Sequence, residues 1–291
     1  MLVVTRRTLG VRGGAQQHLQ MRTFPQSGNE NSIGFRTRSS LTFFLLVFAL
    51  SVPFWLIGTV AKLQLLPGIP VSALMFVCPV TAASILVYRE HNAAAVIDLL
   101  KRSFDYKRIR TRVWYVPIIL LMPGATMLTY GLMHLMAMPL TAPQFSVMTS
   151  LALFLAFFVT GLGEELGWSG YVIDSMQARW NAFKASILLG LVLAAWHYVP
   201  LVQAQRSATW IAWWSLYTVA LRVLTVWLYN NTGKSVFAAA LFHATTNVSG
   251  VTFSNYYDPR ITGLIIAFRS RNRHSGMRST NIKSLHEPLN G

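Results

Sequence analysis

Two adjacent carboxylates, Glu164 and Glu165, follow a long apolar run from Phe145 to Val159. The chain has nine acidic residues, and these are the only two that fall inside a long hydrophobic segment. An ionisable side chain within a membrane span is unfavourable by roughly 2.5–3.5 kcal/mol on insertion scales, so its default reading is a functional one. Other hydrophobic segments contribute His197, Arg222, His243 and Asn247, with His134 near the end of a further run. His243 and Asn247 are four residues apart and share one helix face. Glu164 and Glu165 lie about 100° apart around a helix. One of them can therefore face a water-filled cavity while the other is buried against its neighbours.

These residue types suit one kind of chemistry. A glutamate and a histidine that meet at a water can share general-base work. A second histidine with an asparagine amide supplies donors for a developing oxyanion. Glu164, Glu165, His197, His243 and Asn247 are thus a set of candidate catalytic residues for peptide hydrolysis by activated water, with no Ser or Cys nucleophile required. Each also has a plain structural reading: interhelical hydrogen bonding for a histidine or asparagine, and carboxylate pairing or snorkelling to the interface for Arg222. A divalent metal such as zinc on Glu164, His197 and His243 is a separate option. No HExxH or similar close spacing exists, and the three ligands would come from three different segments.

The elements that must position these groups are membrane-spanning helices. The 291 residues are 53% hydrophobic and 12% charged, against about 25% charged in a soluble domain. That deficit, with several long apolar runs, predicts an all-α, polytopic transmembrane bundle of seven to eight spans surrounded by membrane lipid. The net charge of +16 does not indicate nucleic acid, because the basic residues lie mostly outside the apolar runs. The single cysteine, Cys78, excludes an intramolecular disulfide and a multi-cysteine metal site.

The expected spans are 41–61, 69–88 with a kink at Pro79, 113–138, one from Phe145 into the glutamates, 185–202, 209–229 and 235–253. Ala93 to Leu100 reads as an interfacial amphipathic helix, and Asp174 to Lys184 as a polar connection. Residues 1–40 read as a disordered basic tail rather than a secretory signal peptide. Residues 261–268 look like an eighth span interrupted early, and 269–291 like a polar basic tail of non-native origin. Six basic residues precede the first span, seven lie within 89–112, and none lies between Met138 and Pro143. That alternation predicts a cytoplasmic N-terminus and a cytoplasmic 89–112 loop; the expected membrane is the plasma membrane of a prokaryote.

Three motifs carry a resemblance: Glu164-Glu-Leu-Gly-Trp-Ser-Gly-Tyr171, Ala195-Trp-His-Tyr-Val-Pro200 and Phe242-His-Ala-Thr-Thr-Asn247. Their order and spacing resemble the CPBP (Abi) family of CAAX and bacteriocin-processing intramembrane proteases, which includes the type II CAAX prenyl endopeptidases. The resemblance covers about residues 41–268. It implies a helical bundle around a conical cavity, with water activated by Glu164 and His197 and the oxyanion held by His243 and Asn247. The implied substrate is a peptide or membrane protein, either a prenylated CAAX protein or a bacteriocin-like peptide. Members are labelled metalloproteases, although a metal-free glutamate mechanism is also argued. The first motif usually ends in Arg where this chain has Ser169, and the second usually has Phe where it has Leu193. Arg222 is a candidate to replace the missing guanidinium. The competing class is a non-enzymatic membrane protein, a transporter or a catalytically degenerate scaffold, using the same polar core.

Overall fold

The computed structural model describes residues 40–66, 68–138, 140, 146–252 and 260–264. The N-terminal tail, most of the 139–146 connection and the tail after 264 lie outside the described residues. Residues 261–264 of the short apolar run at 261–268 are helical.

The first helix, α1 (Ser40–Ala61), turns Leu41, Leu45, Leu56, Ile57 and Val60 outward and buries Phe43, Val47, Ser51 and Gly58. An apolar outer face with small or aromatic residues inside is what a lipid-facing helix needs. A short antiparallel hairpin follows, β1 (Gln64–Leu66) and β2 (Ile69–Pro70). The chain continues as a 3₁₀ turn, Val71–Phe76, into α2 (Val77–Glu90). Pro79 lies near the middle of the 71–90 segment, in the first turn of α2 just after the 3₁₀ turn, a helix position where proline is tolerated. The interfacial helix α3 (Ala93–Lys101) begins where the Asn92 side chain accepts from the Ala95 amide.

The helix α4 (Tyr115–Leu135) ends three residues short of the expected boundary, and His134 is exposed near its end. The motif helix α5 (Val147–Gly167) is capped by Ser146. It runs without a break through a π turn, Trp168–Val172, into α6 (Ile173–Arg179). The segment from Asp174 is therefore helix, not a polar connection. Its polar groups are used inside the protein: Asp174 accepts from Tyr229, and Gln177 bonds Asn230.

The fifth expected span is divided. The helix α7 (Ala182–Trp196) stops at His197, and a one-and-a-half-turn helix, α8 (Tyr198–Gln203), follows. At 1.5 Å per residue α7 reaches only about 22 Å, less than the roughly 30 Å hydrocarbon core. The last two helices are α9 (Ala208–Asn231) and α10 (Val236–Thr252). Among the described residues, five helical segments, 40–61, 71–90, 112–135, 147–179 and 208–231, are long and apolar enough to cross a membrane. The chain is an integral membrane protein with an all-α bundle, in which α7 and α10 are shorter helices.

Candidate functional site

Glycines determine how closely the helices approach the two glutamates. A β-carbon on Gly161 would lie 3.3 Å from the Ala240 carbonyl oxygen of α10. One on Gly167 would lie 2.6 Å from the Pro79 carbonyl oxygen of α2. The run Gly161-Leu-Gly-Glu-Glu-Leu-Gly167 thus lets α10 and α2 press against the α5 backbone around Glu164 and Glu165. Small residues at helix crossings are the usual means of close approach in membranes.

Glu165 is 1% exposed and fully engaged. Arg222 of α9 meets it with a fork, Nη1 to Oε2 at 2.9 Å and Nη2 to Oε1 at 2.9 Å. Ser169 Oγ donates to Oε2 from one turn further along, and His243 Nδ1 lies 3.2 Å from Oε1. Arg222 also reaches Ser169 Oγ at 3.5 Å. The guanidinium that the first motif lacks at Ser169 is therefore supplied by α9, and the serine fills the remaining space with a hydroxyl donor. A bidentate Arg–carboxylate pair is the strong form of this interaction.

Glu164 differs from its neighbour. It is buried, and its Oε2 has no hydrogen-bond partner among the described residues. Both glutamates line a cavity of about 590 Å³ together with His197, Arg222, His243 and Asn247. His197 stands at the break between α7 and α8, with Nδ1 2.8 Å from the Leu193 carbonyl oxygen. A carbonyl only accepts, so Nδ1 carries the proton and Nε2 is the ring's free lone pair in the neutral form. His243 and Asn247 lie one turn apart on α10. The structure thus gathers all five candidate residues at one cavity and leaves His134 out of it. Among the described residues, no group of three or more His, Cys, Asp or Glu side chains is placed to hold a metal ion.

Sequence reasoning missed the clamp that holds these helices at one end. Asp105 accepts from Ser235 Oγ and from the backbone amides of Val236 and Phe237, so it caps the N-terminus of α10. Arg102 donates to the Gly170 carbonyl of the π turn at 2.7 Å, to Tyr229 Oη at 3.0 Å and to the Lys234 carbonyl at 2.8 Å. One basic side chain thereby ties α5, α9 and the start of α10 together. The available signal was Asp105, the one acid amid the basic residues from Lys101 to Arg112.

The fold and the site define a polytopic helical membrane protein whose buried ionisable groups converge on a single cavity. Residues 146–249 match the family model described as type II CAAX prenyl endopeptidase Rce1-like. The chain is also 27% identical over 251 residues to CAAX prenyl protease 2 of Methanococcus maripaludis, covering 77% of this chain and 89% of that protein. The chain is thus similar to CAAX prenyl proteases across all three motifs, in line with the resemblance they carry.

Proposed function

We propose that this protein is an intramembrane endopeptidase that cleaves a prenylated CAAX-type protein by glutamate-activated water. The observation that carries the reading is the division of labour between the two glutamates. Glu165 is tied to Arg222, while Glu164 presents an unpartnered oxygen at a cavity shared with two histidines and an asparagine. The names of the matched family and relative favour a prenylated protein over a bacteriocin-like peptide as substrate.

In this mechanism a water bound between Glu164 and His197 Nε2 gives its proton to Glu164 as its oxygen attacks the scissile carbonyl carbon. The carbonyl oxygen becomes an oxyanion and accepts from the Asn247 amide and from Nε2–H of a charged His243, whose Nδ1 is already on Glu165. Collapse re-forms the carbonyl, breaks the C–N bond, and passes the proton from Glu164 to the leaving amine. Ionised Glu164, Glu165, Arg222 and His243 sum to zero charge, which suits an enclosed cavity.

The test is cleavage of a prenylated CAAX peptide by purified protein in detergent. Glu164→Gln should lower kcat by at least about a hundredfold, the low end of what a positioned acid–base group contributes. His197→Ala should do the same, and Asn247→Ala should lower it by about 10²–10³-fold. Activity should survive a chelator. Full cleavage by Glu164→Gln would overturn the assignment, and an inactive wild type would favour the non-enzymatic scaffold.

A further inference from the structure

The cavity wall beyond His197 has a regular construction. His197 packs against Trp214 with ring centroids 5.2 Å apart, Trp214 stacks on Trp210 at 6.4 Å, and the Arg206 guanidinium lies 4.8 Å from the Trp210 ring. All four side chains line the cavity. An aromatic ladder therefore runs from the proposed water-binding histidine to a single cation. Arg206 is exposed and has no carboxylate partner among the described residues, whereas the cavity's other cation, Arg222, is held on Glu165.

The backbone holds Arg206 in place. The helix α8 ends with Gln205 at a φ of 58°, the Arg206 amide bonded to the Leu201 carbonyl at 3.0 Å and the Gln205 amide to that of Val202 at 2.9 Å. This is the Schellman arrangement, closed here by a non-glycine residue. Ser207 then caps α9 by accepting from the Trp210 amide. Gln203 fastens α8 to α1 through the Trp55 carbonyl and Thr59, and accepts from Ser72. Arg206 is thus fixed between two helix caps on an anchored segment.

We propose that Arg206 binds the free C-terminal carboxylate of the substrate. This rests on the proteolytic reading above. A CAAX substrate is prenylated on the cysteine, and cleavage after that residue leaves three residues ending in a carboxylate. Three extended residues span roughly 10 Å at 3.3–3.6 Å each. From His197 to Gln203, the last residue of α8, the rise is about 9 Å at 1.5 Å per residue, and Arg206 follows three residues later in the cap. A helix of nearly that length therefore lies between the histidine and the capped segment that carries the arginine. The two aliphatic residues lie along Trp214 and Trp210, and the carboxylate meets the guanidinium. Leu65, Leu66 and Ile69 of the hairpin also line the cavity and add apolar surface but no competing charge.

The experiment compares one prenylated peptide as its free acid, its C-terminal amide, and a free acid lengthened by one residue. The wild type should cleave the short acid with kcat/KM roughly 10- to 100-fold above the other two, mainly through KM, as a charge-assisted contact requires. Arg206→Gln should bring the acid down to the level of the amide, and Arg206→Lys should keep part of the preference. Equal cleavage of acid and amide by the wild type would overturn the proposal, as would a parallel loss on both substrates in Arg206→Gln. If no peptide is cleaved, the proteolytic reading fails by itself, and binding decides Arg206. A fluorescent acid peptide should bind the protein about tenfold or more tighter than its amide, and equal affinities would refute the carboxylate site.

Discussion

Removing Arg222 tests the reading of Glu165 as the partnered member of the pair. The two side chains are 4% and 1% exposed and joined by two 2.9 Å bonds. Replacing Arg222 by Met leaves the carboxylate buried with Ser169 and His243 alone. Breaking a buried pair from one side destabilises by about 3–5 kcal/mol, mostly because the remaining charge is uncompensated. At about 2–4 °C per kcal/mol for a chain of this order of size, the apparent Tm in detergent should fall by about 6–20 °C. Glu165→Gln should fall into the same range, because it strands Arg222. The double variant Glu165→Gln, Arg222→Met buries no unpaired charge, so its loss should be far smaller than the sum of the singles. Arg222→Met with Ser169→Arg moves the guanidinium to the position one turn beyond Glu165, where the resembling motif carries it, and should recover at least half of the lost Tm. Differential scanning fluorimetry of the four variants and the wild type reads all of this. Additive losses, or an Arg222→Met protein as stable as wild type, would refute the reasoning. Glu164→Gln supplies the contrast: Glu164 has no ion pair among the described residues, so its Tm should hold or rise.

Gly167→Ala places a β-carbon 2.6 Å from a backbone oxygen of Pro79, which cannot yield as a flexible side chain would. It should destabilise by about 1–3 kcal/mol, whereas Gly124→Ala, with nothing within 4 Å, should be neutral or mildly stabilising in the same thermal assay. Asp105→Ala removes the acceptor of the Val236 and Phe237 amides, leaving Ser235 on the Ala238 amide, and should cost about 1–2 kcal/mol, with Asp105→Asn milder. Hydrogen exchange should localise the loss to the first turn of α10, and a uniform change along the chain would argue against the cap. Orientation is tested by single cysteines at the exposed Lys107 and Met136 in a Cys78-free background. Lys107→Cys should label only from the cytoplasmic side and Met136→Cys only from the other, since seven basic residues flank the first position. The reverse pattern would invert the topology.

The polar core was legible in the sequence because charge is conspicuous in apolar segments: Glu164, Glu165, His197, Arg222, His243 and Asn247 stand out once the spans are drawn. The i, i+4 spacing of His243 and Asn247 already placed them on one face. The π turn was not legible, because its stabilising donor is remote. The Gly170 carbonyl is taken by Arg102, 68 residues earlier in the chain. Asp174 and Gln177 read as loop residues because local polarity does not reveal a tertiary partner, and Tyr229 and Asn230 supply one on α9. The break at His197 was hidden for a similar reason. The apolar run continues through Tyr198, Val199 and Pro200, and only the caps at the far end of α8 show that a separate short helix has begun.

Why two glutamates stand together follows from the electrostatics of Arg222. A lone carboxylate beside that buried guanidinium would be held as an ion pair and would serve poorly as a base, since a partnered charge gives up its interaction to accept a proton. Glu165 occupies both arms of the fork, and Ser169 and His243 take up its remaining acceptor capacity. Both terminal nitrogens of Arg222 are directed at Glu165, and Glu164 Oε2 stays unpartnered at the cavity. The helical turn of about 100° between adjacent residues makes this separation possible: it points one carboxylate at Arg222 and leaves the next for water. The same pairing carries His243, because the Glu165 oxygen that meets Arg222 Nη2 also receives the histidine Nδ1, so the proposed base and the proposed oxyanion donor are positioned from one buried carboxylate.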